Sequence, residues 1–346
     1  MRMDGLALVC VTGATGFIAS RIVEALLGRG YRVRGTVRQT ESEAVRLLRA
    51  LPGAERLELI QADLLQPGAF VPAVQGARWV IHAASPYSIN VIDPARALVE
   101  PAVAGTRRVL EAAAASPGVQ RVVLTSSMAA ITDEPDRNHT LTEADWNTKS
   151  SIARNPYYFS KTLAEKEAWK FVERERPAWD LVAVNPFMVI GPSLVPSLNV
   201  SNKVLVDLLT GVFPGIMNLA WGFVDVRDTA LAHVAAMESA SAHGRYLCAN
   251  ETMTMRELVA VIRELGYDKA GRLPKLRLDS SVGDYFVKLS SYTRPKGIGS
   301  YLRTHVGRVP RFDNGKLRRE LGVTFRPLRS TVADTLADLK RWGHLH

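Results

Sequence analysis

Two stretches hold the residues best placed to do chemistry. Thr125-Ser126-Ser127 closes an apolar run, and Tyr157-x-x-x-Lys161 opens a helical pattern further on. Residues four apart share one face of a helix. An ammonium on that face favours the phenolate and so lowers the phenol pKa towards working pH. A serine hydroxyl facing the phenol would bind a carbonyl oxygen and stabilise the charge that develops on it. The spacing alone is weak evidence, because Tyr292 and Lys296 repeat it. Pro295 lies between those two, and no strand-end serine shortly precedes them. Context therefore selects Tyr157 and Lys161.

Such residues need a partner molecule, and the N-terminus supplies a place for one. Val9 to Ala19 reads as a short apolar strand, a turn holding Gly13, Thr15 and Gly16, and a helix entered at Phe17-Ile18. Backbone N–H groups at a helix N-terminus, together with the helix dipole, hold phosphate. Gly13 and Gly16 let the chain turn tightly against a pyrophosphate, and Ala19 is small enough for the third position of a dinucleotide fingerprint. The second strand ends in Thr36-Val37-Arg38 with no carboxylate. Arg38 suits the extra phosphate of NADP, so the expected cofactor is NADP(H). Asp63-Leu64 after the third strand and Ala83-Ala84-Ser85 after the fourth are expected to face it. Asp63 is placed to accept a bond from the adenine amino group, and Pro86 is expected on the substrate side.

Near-continuous apolar strands alternate with helices through the first half: Leu6–Thr12, Arg32–Val37, Leu57–Gln61, Trp79–His82, Arg121–Thr125 and Leu181–Asn185. That pattern predicts a doubly wound parallel sheet covered on both faces, of Rossmann type. Helices are expected over 94–115 and 160–175, among others. After Pro186 the texture changes, and residues 272–312 read as irregular and basic. The expected division is a nucleotide-binding domain, 1–187 plus 220–249, and a smaller mixed α/β substrate domain, 188–219 plus 250–346.

Composition is that of a globular chain: 346 residues, 47% hydrophobic and 23% charged. The net charge of +10 raises nucleic acid as a partner, but the basic residues are scattered and no zinc, helix-turn-helix or RNP-like pattern accompanies them. A solvated basic surface is expected, with neither nucleic acid nor membrane as partner. Cys10 and Cys248 read as buried reduced thiols, the seven histidines are dispersed, and no apolar run approaches a membrane span. A cytoplasmic monomer or homodimer without metal is the expectation.

The chain resembles the extended short-chain dehydrogenase/reductases, and within them the dihydroflavonol 4-reductase-like group of NADPH-dependent ketone and aldehyde reductases. The resemblance rests on Val-Thr-Gly-Ala-Thr-Gly-Phe-Ile-Ala at 11–19, Gly-Thr-Val-Arg at 35–38, Asp-Leu at 63–64 and Thr-Ser-Ser at 125–127. Tyr-Tyr-Phe-Ser-Lys at 157–161, Asn-Pro-x-x-Val-x-Gly-Pro at 185–192 and Phe-Val-Asp-Val-Arg-Asp at 223–228 extend it. It implies that Ser127 is the catalytic serine, and that Pro186 and Val189 lie beside the nicotinamide. It also implies that Lys161 binds ribose. Thr132 stands where flavonoid reductases carry a substrate-binding asparagine, and Gly222 where they carry a glutamine. A smaller or less polyphenolic carbonyl substrate is expected.

Thr132-Asp133-Glu134 looks like the acid–base triplet of nucleotide-sugar dehydratases, but it lies five residues beyond Ser127 and is expected to be a solvated acidic loop. The leading expectation is a carbonyl reductase with Ser127, Tyr157 and Lys161 at its centre. Two alternatives stay open: a nucleotide-sugar epimerase or dehydratase that retains NAD, and a non-catalytic NADP-binding module.

Overall fold

The computed structural model describes residues 7–85, 93–268 and 271–345. In the first half β1 (Leu8–Thr12), α1 (Phe17–Gly28), β2 (Arg32–Val37), α2 (Glu43–Arg49), β3 (Leu57–Gln61), α3 (Val71–Val74) and β4 (Trp79–His82) follow in turn. Next come α4 (Glu100–Ala114), β5 (Arg121–Thr125), the short β6 (Thr140–Leu141), α5 (Pro156–Glu175) and β7 (Asp180–Pro186). The strand boundaries match the apolar runs closely, since β-branched residues buried on both faces leave little freedom in register.

Seven strands form one parallel sheet in the order β11-β7-β5-β4-β1-β2-β3, with β11 at Gly244–Cys248. The chain reverses direction across the sheet between β1 and β4, and in such sheets ligands bind outside the carboxyl ends at that switch point. α1 and α7 (Val226–Glu238) cover one face; α4 and α5 cover the other.

The remaining elements are β8 (Met188–Ile190), α6 (Val200–Leu209), β9 (Ile216–Met217), β10 (Ala220–Asp225), β12 (Glu251–Thr254) and α8 (Met255–Glu264). They are followed by β13 (Arg277–Leu278), α9 (Ser281–Ser290), α10 (Lys296–His305), β14 (Arg311–Phe312), α11 (Gly315–Leu321) and α12 (Leu328–Arg341). A second apolar cluster, including Leu205, Leu258, Ile262, Val332 and Leu336, gathers α6, α8 and α12 around β10.

Three expectations need correction. The helix expected over 94–115 begins as a π-turn at Ala95–Val99, where Pro101, lacking an N–H, cannot close the regular ladder. α5 begins at Pro156, four residues before the expected start, because Pro is well suited to the first helical position. Residues 272–312 are not irregular. They hold α9 and α10, whose inward residues Val287 and Leu302 join the second cluster together with Val306 just past α10. Their glycines, serines and Pro295 mask the helical period in the sequence.

Candidate active site

The site starts at the head of β1. Thr12 Oγ1 accepts hydrogen bonds from the N–H groups of Ala83 (3.1 Å) and Ala84 (3.0 Å), and lies 2.8 Å from His82 Nδ1. The end of β4 is thereby stitched to β1. Gly13 has φ +67°, and its N–H donates to Thr36 Oγ1 at 3.0 Å. A Cβ on Gly13 would come within 3.1 Å of Ala84 Cα. Gly35 is equally constrained: a Cβ there would lie 2.7 Å from Ala14 Cβ. The turn is wedged between β2 and β4 with no room for a Cβ on Gly13 or on the facing Gly35. Gly16 caps α1 without a side-chain acceptor, so the first-turn N–H groups aim at whatever occupies the mouth. Thr15, Phe17 and Ile18 are half-buried at this turn, with Phe17 and Ile18 packed against the core. A tight glycine turn with uncovered N–H groups at a helix N-terminus fits the diphosphate of a dinucleotide.

Around this cradle, Arg38 is exposed just past the end of β2. Asp63 Oδ1 accepts from Leu65 N–H at 2.8 Å and so shapes its own turn. Leu64 packs over Gly105 of α4, where a Cβ would meet it at 2.9 Å. Ser85 is half-buried. Pro86 lies outside the described residues. Pro186 and Val189 are buried where β7 passes into β8.

The two adjacent serines part company. Ser126 is buried and donates to Glu165 Oε2 at 2.5 Å. Ser127 is extended and half-buried; its Oγ accepts from Ala129 N–H at 3.2 Å and caps a short 3₁₀ turn, Met128–Ala130. α5 packs on that turn, with Thr162 Oγ1 donating to Ala129 O at 3.2 Å. Tyr157 and Lys161 fall on its first two turns. Tyr157 is half-buried, its ring edge-on to Tyr158 with centroids 6.0 Å apart.

Lys161 is buried, and burial pushes its ammonium down to about 8 while the charge of Glu165 opposes the shift. His82 is driven down to about 3, first by burial and then by the Lys161 charge, so it is neutral across the working range. A buried ammonium in weakly screened surroundings acts strongly on a phenol one turn away.

Behind these residues is a polar knot. Glu165 accepts from Ser126, from Asn185 Nδ2 (2.8 Å), from Trp169 Nε1 (3.2 Å) and from Arg245 (2.6 and 3.2 Å). Asn185 Nδ2 also donates to Ser127 O at 3.2 Å, and its buried Oδ1 has no partner. Sequence reasoning missed Glu165 and Arg245. Glu165 stands four residues beyond Lys161 on the same helix face, and Arg245 is a charge at the head of an apolar strand; both signals were legible.

Thr132 is buried, as is Asp133, which is only 1% exposed, so the loop expected to be solvated is not. Asp133 Oδ1 accepts from Asn155 Nδ2 at 2.5 Å, and Arg154 Nε approaches Oδ2 at 3.4 Å. Glu134 pairs with Arg154, Lys149 and Arg308. Opposite charges and an amide donor make burial tolerable. Gly222 has no space for the glutamine of flavonoid reductases: a Cβ would lie 2.5 Å from Phe187, whose ring packs on Phe312.

Cys10 and Cys248 are both buried thiols pushed up to about 12 by burial. Among the described residues no group of three or more His, Cys, Asp or Glu is placed to hold a metal, and no helix is long and apolar enough to cross a membrane.

Comparison with known proteins agrees with this geometry. The sequence is 38% identical over 344 residues to cinnamoyl-CoA reductase CAD2 of Medicago truncatula, covering 96% of this chain and 95% of that protein. It is 35% identical over 347 residues to tetraketide alpha-pyrone reductase 1 of Arabidopsis thaliana, covering 97% and 96%. Among solved structures, yeast methylglyoxal/isovaleraldehyde reductase Gre2 complexed with NADPH superposes with a TM-score of 0.81 at 32% identity, covering 98% of this chain and 100% of that one. The pattern of the NAD dependent epimerase/dehydratase family matches residues 9–249. With its parallel sheet, glycine cradle and near full-length relatives, the chain belongs to that family, the extended short-chain dehydrogenase/reductases.

Proposed function

We propose that this protein reduces a ketone or aldehyde to an alcohol with NADPH. The observation that carries the reading is that the backbone cradle after β1 and Ser127 after β5 both lie at the carboxyl ends of the parallel strands, with Lys161 buried one helical turn beyond Tyr157 on α5. The cradle holds the diphosphate, and Arg38 holds the phosphate that distinguishes NADPH from NADH. Bound NADPH supplies the hydride to the carbonyl carbon. Ser127 Oγ hydrogen-bonds the carbonyl oxygen and fixes its position. Tyr157 passes its phenolic proton to that oxygen as negative charge develops there, and is itself reprotonated from solvent. Lys161 keeps the phenol acidic enough to give up that proton and holds the ribose.

Residues 188–219 and 250–346 form the substrate-binding part, and Thr132 borders the substrate. The relatives' names favour reduction: the Medicago protein is named for a thioester of an aromatic acid, and the yeast protein for small aldehydes. The test is NADPH and NADH oxidation against aldehydes, aliphatic and aromatic ketones, flavonoids and an aromatic acyl-CoA. Oxidation of NADPH by a carbonyl in that panel is expected. Failure with every member overturns the reading.

A further inference from the structure

The acidic pair of the dehydratase-like triplet, Asp133 and Glu134, has been left without a role, and Asp133 is buried. Asp133 is held under Asn155, the residue two places before Tyr157. Asn155 is itself buried with φ +50° and ψ +64°, a left-handed conformation that asparagine adopts more readily than other residues bearing a Cβ and that its buried side-chain bonds hold in place. What enforces it comes from two directions. Its Nδ2 donates to Asp133 Oδ1 at 2.5 Å and to Thr304 Oγ1 at 3.2 Å. Thr304 belongs to α10, far away in sequence.

The same helix reaches the site by a second route. Thr304 Oγ1 lies 2.8 Å from His305 Nδ1, and His305 Nε2 lies 3.4 Å from the Tyr158 hydroxyl. Tyr301 stacks on the His305 ring at 4.1 Å and accepts from Trp221 Nε1 at 2.8 Å. Tyr158 in turn meets the Tyr157 ring edge-on. Burial drives His305 down to about 4, so this is a neutral contact over the working range. Arg308, just beyond α10, pairs with Glu134 next to Asp133.

We infer that Asp133, Asn155 and Thr304 form a positioning latch through which α10 fixes the first turn of α5 and so aims the Tyr157 phenol. The triplet that elsewhere would do acid–base chemistry here serves as an anchor, and the catalytic geometry is complete only when the C-terminal segment is docked on it. None of the three is proposed to touch substrate or cofactor. The inference rests on Tyr157 being the proton donor.

The test uses the full chain and four variants. Asn155→Gly keeps the left-handed backbone while removing the amide; Thr304→Val removes the hydroxyl at nearly constant shape; Thr304→Ser restores it. Because misplacing a reacting group by about 1 Å costs on the order of a hundredfold, Asn155→Gly and Thr304→Val should lower kcat by about tenfold to a hundredfold. KM for the carbonyl and NADPH affinity, read by fluorescence, should change less than about threefold, and Thr304→Ser should recover most of kcat. A merely structural role would lower the melting temperature without that split. Tyr157→Phe serves as the control. If Tyr157→Phe is inactive while Asn155→Gly and Thr304→Val keep full kcat, the latch is wrong and the proposed function stands. If Tyr157→Phe turns over normally, the proposed function falls and the latch with it.

Discussion

Lys161 illustrates what a single buried charge does to both function and stability. Its ammonium value is lowered to about 8 from an ordinary 10.5, chiefly by burial. The folded state therefore binds fewer protons than the unfolded chain between those values, and stability linked to this residue rises with pH across that window. Below about pH 8 the full cost of burying the charge is present. Lys161→Met should thus give a cofactor-free protein with a higher melting temperature than the wild type at pH 7. The gap should close as pH rises from about 8 to 10.5, which a series of thermal melts would check. The same variant should be inactive, since the phenol loses its neighbouring charge. At this scale the sequence was readable where spacing is local: Ser127, Tyr157 and Lys161 lie in short motifs. The splitting of Ser126 from Ser127 was not readable from spacing, because it depends on Glu165 reaching across from α5.

Between elements, charge pairs join helices to strands. Glu165 on α5 and Arg245 on β11 are almost wholly buried and bonded at 2.6 Å, with Arg245 stacked 3.9 Å over the Trp146 ring. Removing one partner of such a pair leaves an uncompensated charge, so Glu165→Gln should cost about 3–5 kcal/mol in urea unfolding. It should also move the alkaline limb of kcat/KM to lower pH, because Glu165 is the group that opposes the burial shift of Lys161. An unchanged limb would show that Glu165 acts on folding alone. The strands of the sheet were readable from sequence because each is a run of buried β-branched residues. α9 and α10 were not, since Gly283, Gly297 and Gly299 break the propensity while packing against the rest of the chain restores the helix. The burial of Asp133 was hidden for a related reason: its partners Arg154 and Asn155 come about twenty residues later, and Arg308 beside Glu134 is further still.

At the scale of the molecule, α12 of the second cluster is tied to α7, the helix covering the nucleotide-binding sheet, through its N-cap Asp225, which accepts from Thr331 Oγ1 at 2.9 Å. Asp228 accepts from the Arg326 N–H at 2.7 Å. A ligand gripped at the head of the sheet should stabilise the whole chain, by about 2.7 kcal/mol at a hundred times its Kd. NADPH should therefore raise the melting temperature more than NADH at equal concentration, and Arg38→Ala should erase the difference; equal shifts in the wild type would remove Arg38 as the phosphate ligand. The proton donor is tested most directly by NADPH oxidation with the best carbonyl of the panel, wild type against Tyr157→Phe, with cofactor binding measured in parallel. The variant should bind NADPH as the wild type does and lose at least about a hundredfold in kcat. Near-normal turnover by Tyr157→Phe would contradict a hydride-transfer site that protonates its product from Tyr157.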